Sequence, residues 1–330
     1  MRNLLLFILF IGASTLRAEK PLVVATASIF ADMASQIGDT LIEVETIVPV
    51  GGDPHTYDPR PSDLILLNKA SLILKNGLSF EKWMDKLIEN SGTKASVVRI
   101  TQGIASIQSD TYDNSPDPHA WMDAENGLIY AENIYKTLLE ILPEQKDKLE
   151  LSYLEYKEQI EKTEVYIKEQ ISSIPENQRI LITSHDAFKY YGRKYGLQLE
   201  SILGTSTDAE AQTKDVERII QIIRASKVPA VFIETTVNPK MLKQIATDNG
   251  IAVGGSLFSD SIGDRDSEAP TYLDMLRYNT QTITTALTKS IDDTVNNELE
   301  NPGSSLAKIF VLIGAAMLLF LGFFISKRMA

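Results

Sequence analysis

The chain has 330 residues and no cysteine. That excludes disulfides, thiolate metal sites and cysteine nucleophiles, and with them the lipidated N-terminal cysteine that tethers many exported proteins. Positive charge is in short supply, with 32 Lys and Arg against 44 Asp and Glu, a formal net charge of −12. Nucleic acid and anionic membrane surfaces need clustered Lys and Arg, so neither is an expected partner. Histidine is scarcer still: there are 3 in the whole chain.

Each of those histidines sits in a short polar motif directly after an apolar segment. They are His55 in Gly51-Gly-Asp-Pro-His55, His119 in Pro116-Asp-Pro-His119-Ala-Trp-Met-Asp123 and His185 in Ile182-Thr-Ser-His185-Asp-Ala-Phe188. Structural histidines scatter, whereas neutral imidazole is the commonest protein ligand for zinc and serves manganese when oxygen ligands accompany it. A metal site is the first expectation. Because ligation needs a neutral ring, affinity is expected to fall as pH drops below about 6.5.

The ends of the chain indicate a location. Arg2 and the apolar Leu4–Gly12 run, followed by a small-residue stretch to Ala18, have the layout of a secretory signal peptide over residues 1–18. Near the other end, 306–325 is long and uncharged apart from Lys308, which lies close enough to the edge to snorkel. This predicts one transmembrane helix. Lys327 and Arg328 follow it while Asp292, Asp293, Glu298 and Glu300 precede it, so the tail 326–330 is placed in the cytoplasm and the globular body outside. The protein is thus expected to be exported, periplasmic or on the extracellular face, and anchored to the cytoplasmic membrane through an acidic linker at 291–305.

Between these ends the pattern is a βα series. Leu22–Thr26, Ile42–Val48, Leu72–Lys75 and Ser96–Ile100 alternate with helical stretches, and the series recurs with Arg179–Thr183, Leu197–Leu203, Ala230–Glu234 and Ile251–Gly254. The fold class is therefore α/β, with two lobes (19–142 and 176–290) that each hold a central parallel sheet flanked by helices. Residues 143–175 join them: Leu149, Tyr153, Tyr156, Ile160, Ile167, Ile171 and Ile174 recur at helical spacing with Lys and Glu between, and Pro175 ends the run. One long, stiff linking helix follows. All three histidines fall beyond the carboxyl ends of predicted strands, where open parallel sheets bind ligands. Facing lobes would let them converge.

Three neutral ligands leave a divalent ion undercompensated, so a carboxylate is wanted. Asp260, just past the last predicted strand, is the best placed, and Glu234 at its own strand end is the rival; spacing alone does not decide between them. The motifs Gly52-Asp-Pro-His55-Thr-Tyr-Asp-Pro-Arg-Pro-Ser-Asp63, Asp117–Asp123, Thr183-Ser-His185-Asp-Ala-Phe-Lys-Tyr-Tyr191, Gly204-Thr-Ser-Thr-Asp-Ala-Glu210 and Leu257-Phe-Ser-Asp260-Ser-Ile-Gly-Asp264 resemble the manganese/zinc solute-binding proteins of ABC importers, the TroA/ZnuA type of the cluster A-I metal-binding lipoprotein family. The resemblance covers about residues 20–290. It implies two α/β lobes joined by a single backbone helix, with one ion, Zn2+ or Mn2+, held between them by His55, His119, His185 and Asp260 and delivered to an ABC permease and its ATPase by a monomeric receptor that is not an enzyme. Two departures stand out. The loop 105–116 lacks the histidine-rich insert of zinc-dedicated members, and His185 stands where manganese-dedicated members often carry Glu. Alternative functions are a membrane-anchored adhesion protein with a structural metal and a zinc hydrolase. The latter is opposed by the absence of a His-Glu-x-x-His pattern and of any further histidine to act as acid or base.

Overall fold

The computed structural model describes residues 20–109, 115–226 and 228–289. In the first lobe the chain runs β1 (Leu22–Ala25), α1 (Ser28–Gly38), β2 (Glu43–Thr46), α2 (Pro61–Lys69), β3 (Leu72–Lys75), α3 (Met84–Ser91) and β4 (Ser96–Arg99), then α4 (Ala124–Ile141). Its four strands are parallel in the order β2-β1-β3-β4. After α5 (Lys146–Ser172) the second lobe runs β5 (Ile180–Thr183), α6 (Lys189–Tyr195), β6 (Gln198–Ser201), α7 (Thr213–Ser226), β7 (Ala230–Glu234), α8 (Lys240–Asp248), β8 (Ala252–Leu257) and α9 (Tyr272–Leu287). Here β5 pairs with β6 and β7 with β8, all parallel, and β5 lies beside β7. The second lobe thus holds two parallel pairs side by side rather than one continuous four-stranded ladder.

The central strands are apolar without alternation because both of their faces are buried. On β1 and β3, Val23, Ala25, Leu72 and Leu74 point into one core, and Val24 and Ile73 into another with Ile47, Leu67 and Met84. The second lobe divides in the same way: Leu181, Ala230 and Phe232 face the larger core, while Ile182 and Val231 face a satellite with Ile219, Ile223 and Leu242.

That larger core belongs to both lobes. Phe30, Trp121 and Tyr130 of the first lobe, Ile160 and Ile167 of α5, and Phe188, Phe232 and Leu276 of the second form one continuous cluster. Polar ties cross it: Trp121 Nε1 donates to the Ser259 carbonyl (2.9 Å), the Tyr272 hydroxyl donates to the Trp121 carbonyl (2.6 Å), and the Tyr272 N–H donates to Asp32 (2.8 Å). A buried side chain of this size contributes about 1.5–3 kcal/mol, so a dozen shared ones fix the lobes to each other.

The linking helix is shorter than the expected 143–175. Pro143–Gln145 forms a separate tight turn, and α5 proper spans 27 residues, about 40 Å at about 1.5 Å each. Leu149, Tyr156, Ile160, Thr163, Ile167 and Ile171 form its buried stripe, and the Glu158–Lys162 pair at i, i+4 lies on its wet face. α5 packs on α1 and α4 of one lobe and on α6 and α9 of the other, a strut rather than a tether.

The expected architecture needs one correction, the C-terminal transmembrane helix. Among the described residues no helix is long and apolar enough to cross a membrane. α5 and the 18-residue α4 have the length, but Lys and Glu punctuate both and their apolar residues form one stripe facing the core. Over the described residues the fold is the two-lobe α/β body. The expected signal peptide 1–18, linker 291–305, span 306–325 and tail 326–330 lie outside the described residues.

Candidate metal centre

The four residues singled out in the sequence stand on four different loops, each leaving a strand end or entering a helix. His55 follows β2 on a turn that Gly51 makes possible with its left-handed φ of 78°. The loop is pinned where Asp53 Oδ1 accepts the His55 N–H (2.9 Å), the Gly51 N–H donates to Ser261 Oγ (2.8 Å) and Trp83 Nε1 donates to the Pro54 carbonyl (2.8 Å). Pro61 opens α2 beyond it, and Asp63 closes the box by accepting the Arg60 N–H (2.7 Å) and the Tyr57 hydroxyl (2.9 Å). The imidazole stands edge-on to Phe80, 5.1 Å between ring centres. Phe80 is itself held by a turn in which Leu78 and Ser79 take left-handed backbone and the buried Glu81 accepts the Asn76 and Gly77 N–H groups.

His119 lies before α4, whose N-cap is Asp123, accepting the Glu125 N–H at 2.9 Å. Asp117 Oδ1 takes both the His119 N–H (2.9 Å) and its Nδ1 (2.8 Å). His185 follows β5, and Glu234 at the end of β7 accepts its N–H through Oε1 (2.8 Å) while Oε2 lies 2.7 Å from its Nδ1. Asp260 lies just past β8 and accepts from the Thr236 hydroxyl at 3.2 Å.

These loops bring one ligand atom from each of His55, His119, His185 and Asp260 within 4.8 Å of one another. His55 Nε2 is 3.3 Å from His119 Nε2, and Asp260 Oδ1 is 3.4 Å from His119 Nε2 and 3.9 Å from His55 Nε2. Asp260 Oδ2 is 3.3 Å from His185 Nε2. A tetrahedral shell with bonds of about 2.0–2.1 Å has edges of about 3.3–3.4 Å, so this spacing suits a transition-metal ion. Asp260 turns one oxygen to the first-lobe pair and the other to His185, a placement that also allows bidentate coordination.

Burial and charge support the same conclusion. His119, His185 and Asp260 have no exposed surface, and His185 Nε2 and Asp260 Oδ1 have no hydrogen-bond partner among the described residues. Buried polar atoms rarely go without one. Burial pushes the His55 ring down to about 3, reinforced by the neighbouring imidazoles and opposed by Asp260. Burial would lower His119 too, but Asp117 and Asp260 outweigh it and hold the ring up at about 9. His185 is likewise raised well above its ordinary value, burial being overcome by Glu234 and Asp260. Burial alone would raise Asp260, but the facing imidazoles hold it well below the carboxylate range. The cluster therefore keeps its carboxylate ionised and carries protons where an ion would replace them.

Glu234, the rival carboxylate, stands behind His185 on its Nδ1 side. Asp53 and Asp117 belong to a repeated Asp-Pro-His at 53–55 and 117–119, the sequence signal for their place beside the histidines. In a second acidic group, Asp123, Glu125 and Glu164, Lys194 pairs with Glu125 and Glu164 and Lys168 with Glu164. A crevice of about 80 Å³, lined in part by His55, Phe80, Trp83, Pro118 and Thr205, adjoins the cluster on the His55 side.

Comparison with known proteins places this geometry. Residues 23–286 match the family model of ZnuA, described as the periplasmic component A of a zinc-uptake complex. The manganese ABC transporter substrate-binding lipoprotein PsaA of Streptococcus anginosus is 33% identical over 279 residues, covering 82% of this chain and 90% of that protein. The metal ABC transporter substrate-binding lipoprotein SsaB of Streptococcus sanguinis is 34% identical over 280 residues, covering 82% and 91%. Among solved structures, the periplasmic zinc-binding protein TroA of Treponema pallidum superposes with a TM-score of 0.78 at 31% identity, over 82% of this chain and all of that one. A manganese-bound periplasmic metal-binding protein of Candidatus Liberibacter asiaticus gives 0.75 at 32% identity, over 81% of this chain and 100% of the other.

Proposed function

The chain belongs to the ZnuA family of metal-uptake components, and we propose that His55, His119, His185 and Asp260 hold its cargo. The protein is the extracytoplasmic solute-binding component of an ABC transporter for manganese or zinc. It takes one divalent ion between its lobes and passes it to a membrane permease driven by an ATPase. The observation that carries the assignment of ligands is the convergence of four ligand atoms from both lobes within 4.8 Å, with separations of 3.3 and 3.4 Å from His119 Nε2 to His55 and Asp260.

The receptor performs no bond chemistry. Asp260 occupies the fourth position that a hydrolytic zinc site keeps for water, and all 3 histidines of the chain are used in the cluster, leaving none as a general acid or base. Both ions suit the donors. Nitrogen-rich sites favour zinc by the Irving–Williams order, while the two oxygens of Asp260 give manganese a fifth bond, so availability as well as geometry selects the cargo.

Calorimetric titration of the metal-freed protein with Zn2+ and Mn2+ tests the ligand assignment. Wild type should take about one ion per chain, and His119→Ala and Asp260→Ala should each weaken binding by at least a hundredfold. Unchanged affinity in both variants would mean that the ion sits elsewhere.

A further inference from the structure

Three carboxylates serve the three histidines, but not in the same way. Asp53, Asp117 and Glu234 each accept the backbone N–H of one histidine, His55 (2.9 Å), His119 (2.9 Å) and His185 (2.8 Å) respectively. Asp117 also reaches the ring, its Oδ1 lying 2.8 Å from His119 Nδ1. Glu234 brings its second oxygen, Oε2, to 2.7 Å from His185 Nδ1, a charge contact off the line of a hydrogen bond. Asp53 does not: its second oxygen, Oδ2, instead accepts from Thr56 (3.1 Å) and from Thr207 of the opposite lobe (2.5 Å). Among the described residues no carboxylate contacts His55 Nδ1. Exposure follows the same division. Asp117, His119 and His185 are fully buried and Glu234 is 2% exposed; the His55 side chain, 3% exposed, is the one imidazole of the three that lines the crevice.

A carboxylate on Nδ1 does two things for a metal-bound imidazole. It fixes the proton on that nitrogen, which leaves the Nε2 lone pair for the ion, and it makes the ring a stronger donor; losing such a partner costs about 10–100-fold in metal affinity. We propose that Asp117 and Glu234 are positioning residues, one per lobe, that lock His119 and His185 as fixed donors, and that His55 is the weakest-held ligand and the first to let the ion go. The inference rests on the metal-receptor reading above and adds an order to release. The ion leaves from the His55 side, where the crevice lies, while three donors stay in place.

The test uses the full-length chain loaded with zinc. Asp117→Asn and Glu234→Gln keep shape and remove charge; each should lose zinc to an excess of chelator about 10–100-fold faster than wild type. Each should also shift the visible spectrum of the cobalt-substituted protein, which a merely structural role would leave alone. Should either variant fail to fold, the wild type decides. In nitrogen-15 NMR of the zinc-loaded chain, the Nδ1–H protons of His119 and His185 should exchange slowly with water and that of His55 measurably faster. Release rates within twofold of wild type, or equal exchange at all three rings, would overturn the proposal while the receptor reading stood. A wild type that takes up no zinc would overturn both.

Discussion

At the scale of single residues, the three imidazoles are chemically different although the sequence presents them alike. Reference values would have all three titrate near 6.5, whereas burial takes His55 down to about 3 and Asp117 with Asp260 hold His119 at about 9 against its burial. In the metal-free protein, protonated His119 stabilises the fold fully below its unfolded value of about 6.5, and that contribution is lost as pH rises through about 9. His185 shifts in the same direction. A bound ion needs both rings neutral, so zinc affinity should climb as pH rises toward about 9, by up to about two decades per pH unit while both rings carry protons, His55 adding nothing. Competition against a chelator of known affinity checks this. A profile flat from pH 6.5 to 9 would contradict the shifts, and a slope of three would mean that His55 also carries a proton.

The candidate ligand residues are legible in the sequence because they recur in local motifs at strand ends. Their partners were less so. Asp117 lies two positions from His119 and is visible in the repeated Asp-Pro-His, but whether its oxygen turns to the ring, as Asp117 does, or to the other lobe, as Asp53 does, is decided by Thr207, 154 residues from Asp53. Glu234 stands 49 residues from His185. Spacing made it a rival ligand, and only its place behind the ring makes it a support.

At the scale of elements, the apolar runs place most strand ends to within two residues, whereas β8 runs on to Leu257, three past the expected Gly254. Leu72–Lys75 and Ala230–Glu234 fall where the alternation of runs puts them, and the heptad-like series from Leu149 to Ile171 gave α5. Its lower boundary slipped because Pro143 opens a separate tight turn instead of the helix. What periodicity cannot express is that the stripe of α5 seals one core shared by both lobes, since a contact such as Trp121 to Ser259 joins positions 138 apart. Ile160 is fully buried in that core while Val165 on the wet face is 55% exposed. Ile160→Ala should cost about 2–5 kcal/mol of stability, and Val165→Ala no more than about 0.5. In urea unfolding both variants should show one transition, with tryptophan fluorescence, which reports Trp83 and Trp121 in the first lobe, coincident with far-ultraviolet circular dichroism. A two-step curve would mean that the lobes have separate cores.

At the scale of the molecule, the four-stranded sheet of one lobe and the two parallel strand pairs of the other are clamped along one side by α1, α4, α5 and α9 and meet at the other around four candidate ligand atoms. With the clamp side packed as a single core, closure over an ion falls to the loops that carry the ligands, including the Asp53–Thr207 contact across the cleft. The ion then acts as a cross-link between lobes. A ligand that binds only the folded form stabilises it by RT ln(1 + [L]/Kd), about 2.7 kcal/mol at a hundredfold excess over Kd. The most direct test of a metal receptor is elemental analysis of the protein purified without chelator, followed by melting of the stripped chain with zinc, manganese and neither. About one zinc or manganese per chain, and a melting temperature that rises with either ion and returns on stripping, is the predicted result. A chain that carries no metal and melts at the same temperature with and without both ions would contradict the account.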